Sequence, residues 1–189
     1  MRVSAADKMR YFIKHTLWYR WRRRDILTGL LDHRKLHSDF LAALQDSTQV
    51  AYILADLDEF KRVNDSYGYD VGNRVLRGVA MGLARKCAGN RSCLGPYREG
   101  GESFSVILTN VDAEAAMRFA DALRAAVEQV RIDQYFELKV TARLAVVTAP
   151  VYRHYSGAER YFREEALKAV YCHPDNKKPN GVVHVAWQN

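Results

Sequence analysis

Two acidic stretches hold the residues whose types and spacing best suit chemistry. One begins with Asp56 directly after an apolar run, and the other places Glu102 directly after Gly100-Gly101. Two clustered carboxylates repel each other unless a cation lies between them, and Mg²⁺ is commonly held by one or two carboxylates together with substrate phosphates. We therefore predict that Asp56 and Glu102 bind Mg²⁺ beside the phosphates of a nucleotide. Lys61, about one helical turn beyond the first acids, would then reach a phosphate.

A plainer interpretation assigns the same acids to local structure. Asp56 and Asp58 would cap the end of a strand, and Glu102 would occupy a turn. Either stretch alone is compatible with that interpretation. The presence of both stretches in one chain favours the metal site.

These acids need a scaffold of neighbouring strands, and the hydrophobic pattern predicts one. Apolar or alternating runs predict strands at residues 50–55, 92–98, 103–109, 136–148 and 181–187. Helical spacing predicts helices at residues 5–24, 32–44, 71–87, 112–130 and 158–171, and residues 64–68 have the composition of a turn. Gly100-Gly101 would join two strands as a hairpin, since glycine accepts positive φ. The order of elements predicts an α/β (α+β) fold with one mixed sheet.

Composition is typical of a single soluble domain. The chain has 189 residues, of which 48% are hydrophobic and 27% charged, enough to bury a substantial core. No apolar run approaches the roughly 20 residues that cross a bilayer, so we expect no membrane span. Residues 1–25 lack the apolar segment of a signal peptide, and the three cysteines form no CxxC pair. These features predict a cytoplasmic location with free thiols.

Much of the net charge of +7 lies near the N-terminus, in a basic run at residues 20–24. The predicted helix at residues 5–24 also carries apolar side chains at helical spacing, including Leu17, Trp18 and Trp21. Basic and aromatic residues together can contact nucleic acid or an anionic membrane surface. We instead expect the apolar face to pack against a second copy, giving a homodimer, with nucleic-acid binding unlikely. The chain would divide into this basic helix (1–24) and a domain at 25–189.

The ordered motifs around Asp56, Lys61 and Glu102 resemble those of the GGDEF family, the diguanylate cyclases. The similarity covers residues 25–187 and includes the segments 25–30, 56–65, 67–73 and 98–104. The resemblance implies a cyclase-type palm fold with a five-stranded sheet flanked by helices. It also implies a reaction in which two GTP molecules, held in a two-fold homodimer, condense to cyclic di-GMP and two pyrophosphates with Mg²⁺.

The resemblance further implies a role for individual residues. Asp56 and Glu102 match the metal ligands, and Lys61 matches the phosphate-binding lysine. Asn64 matches an asparagine that recognises guanine. Gly100 and Gly101 match the glycines that let the backbone approach the phosphates, and Gly72 and Arg98 also stand where the family places them.

Two departures affect the implied reaction directly. Ser103 replaces the second acid of the signature, a carboxylate that the family uses at the catalytic metals. Asn73 replaces an aspartate that completes guanine recognition. Guanine offers two donors, and an amide accepts one while presenting its own donor to the other, at a cost of about 1–3 kcal/mol.

Two further departures lie outside the signature. Pro174 takes the place of a phosphate-binding lysine, and Lys177 or Lys178 would have to substitute. The product-inhibition motif survives only as Arg91 with Leu94 in place of its aspartate. We therefore expect weak cyclic di-GMP binding at a remnant site formed by Arg91 and Arg98.

Three functions remain open. The changes favour a degenerate GGDEF domain that binds GTP or another purine nucleotide, dimerises and regulates, with little or no turnover. The first alternative is an active diguanylate cyclase. The second is a cyclase of altered base specificity, because an amide at Asn73 can pair with adenine.

Overall fold

A six-stranded mixed sheet forms the middle of the fold, in the strand order β1-β3-β4-β2-β5-β6. The computed structural model describes residues 23–150, 158–173 and 179–186. The strands are β1 Leu31–Asp32, β2 Gln49–Leu57, β3 Cys93–Gly100, β4 Ser103–Thr109, β5 Ala142–Pro150 and β6 Val182–Ala186. β2 is antiparallel to both β4 and β5, whereas β1 pairs with β3, and β6 with β5, in parallel.

Helices cover both faces of this sheet. They are α1 His33–Asp46, α2 Phe60–Tyr67, α3 Tyr69–Cys87, α4 Ala113–Glu128 and α5 Ala158–Cys172. α1 and α5 pack on one face through residues such as Phe40 and Phe162, and α3 and α4 pack on the other through Leu83 and Leu123. Among the described residues, no helix combines the length and the apolar character needed to pass through a membrane.

β2 lies between β4 and β5 in the sheet, and its side chains point alternately to the two faces of the sheet. Ile53 belongs to the core under α3 and α4, while Tyr52 and Leu54 belong to the core under α1 and α5. Because side chains alternate along a strand, Asp56 projects to the same face as Tyr52 and Leu54. The last residues of β2 therefore present acid toward α5.

The predicted mixed α/β class is confirmed, but the sheet formed by the described residues has six strands and not five. The additional strand, β1, contains only two residues and pairs with Tyr97 and Arg98 of β3. Hydrophobic periodicity cannot indicate so short a strand, because its pairing depends on where β3 lies.

Two segments differ from the predicted elements. The strand predicted at 136–148 begins only at Ala142, and the preceding residues form irregular structure in which Leu138 and Val140 are buried. Their alternation reflects loop side chains packed into the core. Most of the turn predicted at residues 64–68 belongs instead to helix α2. Only Gly68 lies outside a helix, with a φ of +85°. The helix predicted at 5–24 lies outside the described residues.

Candidate active site

The hairpin between β3 and β4 brings the two acidic stretches together. In the β2–β4 register Asp56 lies directly opposite Ser103, and Ser103 closes the hairpin opposite Gly100. Gly100 and Gly101 have φ values of +143° and +51°, in the region that favours glycine. The strand that carries Asp56 and the hairpin that carries Gly100 to Ser103 are therefore neighbours, as the metal-site hypothesis requires.

Asp56 is buried at the centre of this arrangement, with 4% of its surface exposed. Its Oδ2 atom accepts hydrogen bonds from Ser103 Oγ at 2.6 Å and from Tyr171 Oη at 3.1 Å. Its Oδ1 atom receives no hydrogen bond from any described residue. One carboxylate oxygen is thus held by protein donors, and the other is left for a further partner.

Tyr171 connects α5 to the acids. Burial raises the pKa of Tyr171 to about 12, with further contributions from Asp56 and then Glu102, while Arg143 opposes the increase. The phenol of Tyr171 therefore lies close enough to the predicted metal ligands, Asp56 and Glu102, for their charges to affect its pKa. Tyr171 is absent from the predicted site residues, although it stands where the GGDEF family has a tyrosine, before the segment that contains Pro174.

Asp58 has a structural role beside the site. Its Oδ2 atom accepts hydrogen bonds from Thr141 Oγ1 and from the backbone N–H of Asn180, each at 2.8 Å. Arg143 Nε lies 2.8 Å from Oδ1, and the Asp58 side chain is only 6% exposed. Asp58 thus ties the end of β2 to the start of β5 and to the chain that leads into β6, as the capping interpretation predicts for this residue.

α2 and α3 carry the predicted phosphate and base contacts. Phe60 is buried and anchors the start of α2, and Lys61 is exposed on its first turn. No side chain caps the N-terminus of α2. Its free backbone N–H groups and Lys61 therefore form a surface suited to an anion.

Asn64 lies against the backbone of α3 next to Asn73. A Cβ atom added to Gly72 would lie 1.9 Å from Asn64 Oδ1, so glycine leaves the space that Asn64 occupies here. Asn64 and Asn73 are both half-buried. Neither amide makes a side-chain hydrogen bond within the described part of the chain, so their polar groups are available to a base.

Arg91 and Arg98, the residues of the predicted inhibitory-site remnant, differ in exposure. Arg91 is exposed in the turn before β3, whereas Arg98 lies within that strand. Arg98 is 7% exposed, and its guanidinium lies 4.6 Å from the ring centre of Phe104. Burial lowers the pKa of Arg98, while Asp25, Glu102 and Asp56 counteract this effect.

The donor set suits Mg²⁺ only when a substrate completes it. Within the described ranges, no group of three or more His, Cys, Asp or Glu side chains could hold a metal ion. Asp56 and Glu102 supply carboxylate oxygens, and Mg²⁺ sites in nucleotide enzymes commonly combine one or two carboxylates with phosphates. These residues therefore fit a cation shared with a nucleotide. Pro174, Lys177 and Lys178 lie outside the described residues.

Comparison with known proteins identifies the family. The family model for "Diguanylate cyclase, GGDEF domain" matches residues 22–176. Diguanylate cyclase A of Treponema denticola is 30% identical over 165 residues, which cover 82% of this chain and 42% of that protein. Response regulator PleD of Caulobacter vibrioides is 36% identical over 127 residues, covering 65% of this chain and 27% of that protein. The chain thus spans less than half the length of these curated relatives.

Solved structures show the same fold. The coiled coil and GGDEF domain of DgcB from Caulobacter crescentus, in complex with c-di-GMP, superimposes with a TM-score of 0.80 at 20% identity. That match covers 96% of this chain and 95% of the DgcB chain. Diguanylate cyclase SiaD from Pseudomonas aeruginosa, in complex with its activator SiaC, gives a TM-score of 0.77 at 23% identity, covering 95% of this chain and 69% of SiaD. The chain belongs to the GGDEF family, the diguanylate cyclase-type domains of cyclic di-GMP signalling.

Proposed function

We propose that this GGDEF domain binds a purine nucleotide and acts as a dimerising regulatory module, with little or no cyclase turnover. The observation that carries the proposal is the 2.6 Å hydrogen bond from Ser103 Oγ to Asp56 Oδ2. Where the family pattern has a second acid, this chain has a hydroxyl. The Ser103 hydroxyl brings no negative charge to the site, and it donates a hydrogen bond to Asp56.

The missing carboxylate affects turnover more than binding. When bound, Mg²⁺ would neutralise charge on the transferring phosphate and its attacking and leaving oxygens. Asp56 and Glu102 would hold the cation, but the site has one negative charge fewer for positioning it. Losing such a group costs about three decades of rate. Ground-state binding depends on more contacts and should be less affected.

Nucleotide binding would use the α2 and α3 side of the site. Lys61 and the uncapped start of α2 would contact phosphate, while Asn64 and Asn73 would face the base. Asn73 accepts only one of the two guanine donors, so we expect GTP affinity to be about 10- to 100-fold below that with an aspartate.

Dimerisation would involve residues 1–24. GGDEF domains often dimerise, and the apolar side chains of this segment, such as Leu17 and Trp18, would be costly to leave in water. We expect a homodimer that is weakened by deleting residues 1–24, as measured by light scattering at tens of micromolar protein. A monomeric full-length chain, or salt-sensitive sub-micromolar nucleic-acid binding lost on the deletion, would contradict this part of the proposal. A cytoplasmic location, where GTP is present, belongs to the same proposal.

Two alternatives have specific support. Asp56, Glu102, Lys61 and Asn64 all retain the family's residue type, which favours an active diguanylate cyclase. The amide of Asn73 can pair with the N1 and amine edge of adenine, which favours an altered base specificity.

Calorimetric titration with GTP and with ATP in the presence of Mg²⁺ tests the proposal, together with an assay for cyclic di-GMP at micromolar protein. We expect GTP to bind and little product to form. Product formation at about one turnover per minute or faster would identify an active cyclase. Tighter binding of ATP than of GTP would identify altered specificity, and no binding of either nucleotide would refute a nucleotide-dependent role.

A further inference from the structure

We propose that Arg143 is a phosphate-binding residue of this site and supplies the positive charge that Pro174 does not. Arg143 lies in β5, directly opposite Asp56 in the β2–β5 register. Residues paired across antiparallel strands have Cβ atoms about 5 Å apart and project to the same face of the sheet. The side chain of Arg143 therefore starts beside the predicted metal ligand.

The guanidinium lies between two other site residues. Arg143 Nε is 2.8 Å from Asp58 Oδ1, and Arg143 Cζ is 5.9 Å from the ring centre of Tyr171. Tyr171 in turn donates a hydrogen bond to Asp56 Oδ2 at 3.1 Å. A phosphate bound to a cation at Asp56 would thus lie close enough for the Arg143 guanidinium to contact it.

The contact with Asp58 leaves most of the guanidinium available. The Nε group lies close to the carboxylate but is not aligned for a hydrogen bond. Within the described ranges, neither terminal nitrogen of Arg143 makes a hydrogen bond, and the side chain is 24% exposed. Asp58 also accepts hydrogen bonds from Thr141 Oγ1 and from the backbone N–H of Asn180, so its buried carboxylate does not rely on Arg143 alone for a partner.

These features match the requirements of a polyphosphate. A guanidinium presents paired N–H donors that fit phosphate oxygens, and its charge does not titrate in the physiological range. Lys61 lies exposed on α2, which follows the end of β2, and Arg143 lies on β5, so the two cations would approach a phosphate chain from different elements. The inference rests on the proposed function, because it assigns the bound phosphates to a purine nucleotide.

The experiment uses tripolyphosphate, which has the phosphate chain without a base. Binding to the full chain is measured by calorimetry with Mg²⁺ for the wild type, Arg143→Gln, Arg143→Lys and Arg160→Gln. We expect Arg143→Gln to bind about 10- to 100-fold more weakly and Arg143→Lys to recover part of the loss, since lysine keeps the charge but not the fork. Arg160 pairs with Glu164 on the exposed face of α5, so its replacement controls for loss of one positive charge and should change affinity less than about twofold.

The outcomes separate this inference from the proposed function. Absence of tripolyphosphate binding to the wild type, or equal binding by the wild type and Arg143→Gln, would overturn the role of Arg143. If Arg143→Gln fails to fold in a thermal unfolding scan, Arg143→Met, which keeps the aliphatic stem and removes the charge, carries the test, and affinity equal to the wild type would overturn the role. If tripolyphosphate binds through Arg143 but GTP binds no more tightly, the inference stands and purine recognition is refuted.

Discussion

The two sides of Asp56 retain different amounts of a nucleotide site. On the side of α2 and α3, Lys61 and Asn64 match the family pattern, and Gly72 allows the close approach of Asn64. On the side of β4 and α5, Ser103 replaces an acid and donates to Asp56. The first side would recognise phosphate and base, whereas the second would organise charge during the reaction. Because these surfaces come from different elements, the second can change while the first persists, and our proposal of binding without turnover depends on this separation.

Restoring the two residues that depart from the family pattern, Ser103 and Asn73, should produce the largest effect. We expect Ser103→Glu combined with Asn73→Asp to raise cyclic di-GMP formation by about 100-fold or more, because the change returns a carboxylate to the metals and a second acceptor to guanine. Chromatographic detection of product from GTP and Mg²⁺ measures the gain. Asn73→Asp alone is the matched control and should tighten GTP binding with little gain in turnover. No gain in the double variant would show that the 172–180 segment, with Pro174, limits the reaction.

The retained side can be broken at Gly72. In Gly72→Ala the new Cβ would meet Asn64 Oδ1 at 1.9 Å, so Asn64 must move away. Because Asn64 Oδ1 is the end of a flexible side chain, we expect little change in the free energy of unfolding and a clear loss of GTP affinity. Urea unfolding and GTP titration measure the two effects.

Gly78→Ala provides a matched control in the same helix. Its Cβ would lie 2.8 Å from Cγ1 of Val130, a side-chain atom, outside the predicted base site. It should therefore affect stability without a specific loss of GTP binding. Unchanged GTP affinity in Gly72→Ala would show that Asn64 does not contact the base.

Tyr171 offers a smaller effect through pH. Burial, followed by Asp56 and Glu102, raises the pKa of Tyr171 from 10.0 to about 12. A raised pKa contributes stability below the unfolded value, and that stability is lost as the pH rises through the folded value. The wild type should therefore lose stability between about pH 10 and pH 12.

Other tyrosines contribute to the same loss, so the comparison must be between variants. Burial raises the pKa values of Tyr52 and Tyr97 as well. Tyr171→Phe should lose stability less steeply than the wild type in this pH range, as measured by urea unfolding at each pH. Identical slopes would show that the Tyr171 hydroxyl is not held against Asp56 in solution.

The smallest effect is expected at the inhibitory-site remnant. Arg91 is exposed, and Leu94 cannot accept the hydrogen bonds that an aspartate would. Cyclic di-GMP should therefore bind weakly, and Arg91→Ala should change its affinity by less than about threefold. Sub-micromolar binding that disappears in Arg91→Ala, measured by calorimetry, would contradict this expectation.

The sequence alone determined the family, the fold class and the meeting of the two acidic stretches. These features are local or follow from order along the chain: an apolar strand that leads into Asp56, and glycines at Gly100 and Gly101 that permit a tight hairpin. The sequence also predicts the departures at Ser103 and Asn73, because each lies inside a short motif whose neighbours fix its position.

Only the tertiary structure placed Tyr171 and Arg143 beside Asp56 and buried Arg98 at the acidic end of β3. Tyr171 contacts Asp56 across 115 residues of sequence, and Arg143 meets it through strand register. No short-range pattern encodes such contacts, because they depend on how β5 and α5 pack on β2. The same reason explains why residues 136–141 appeared to be a strand: burial of Leu138 and Val140 produced the alternation without backbone pairing.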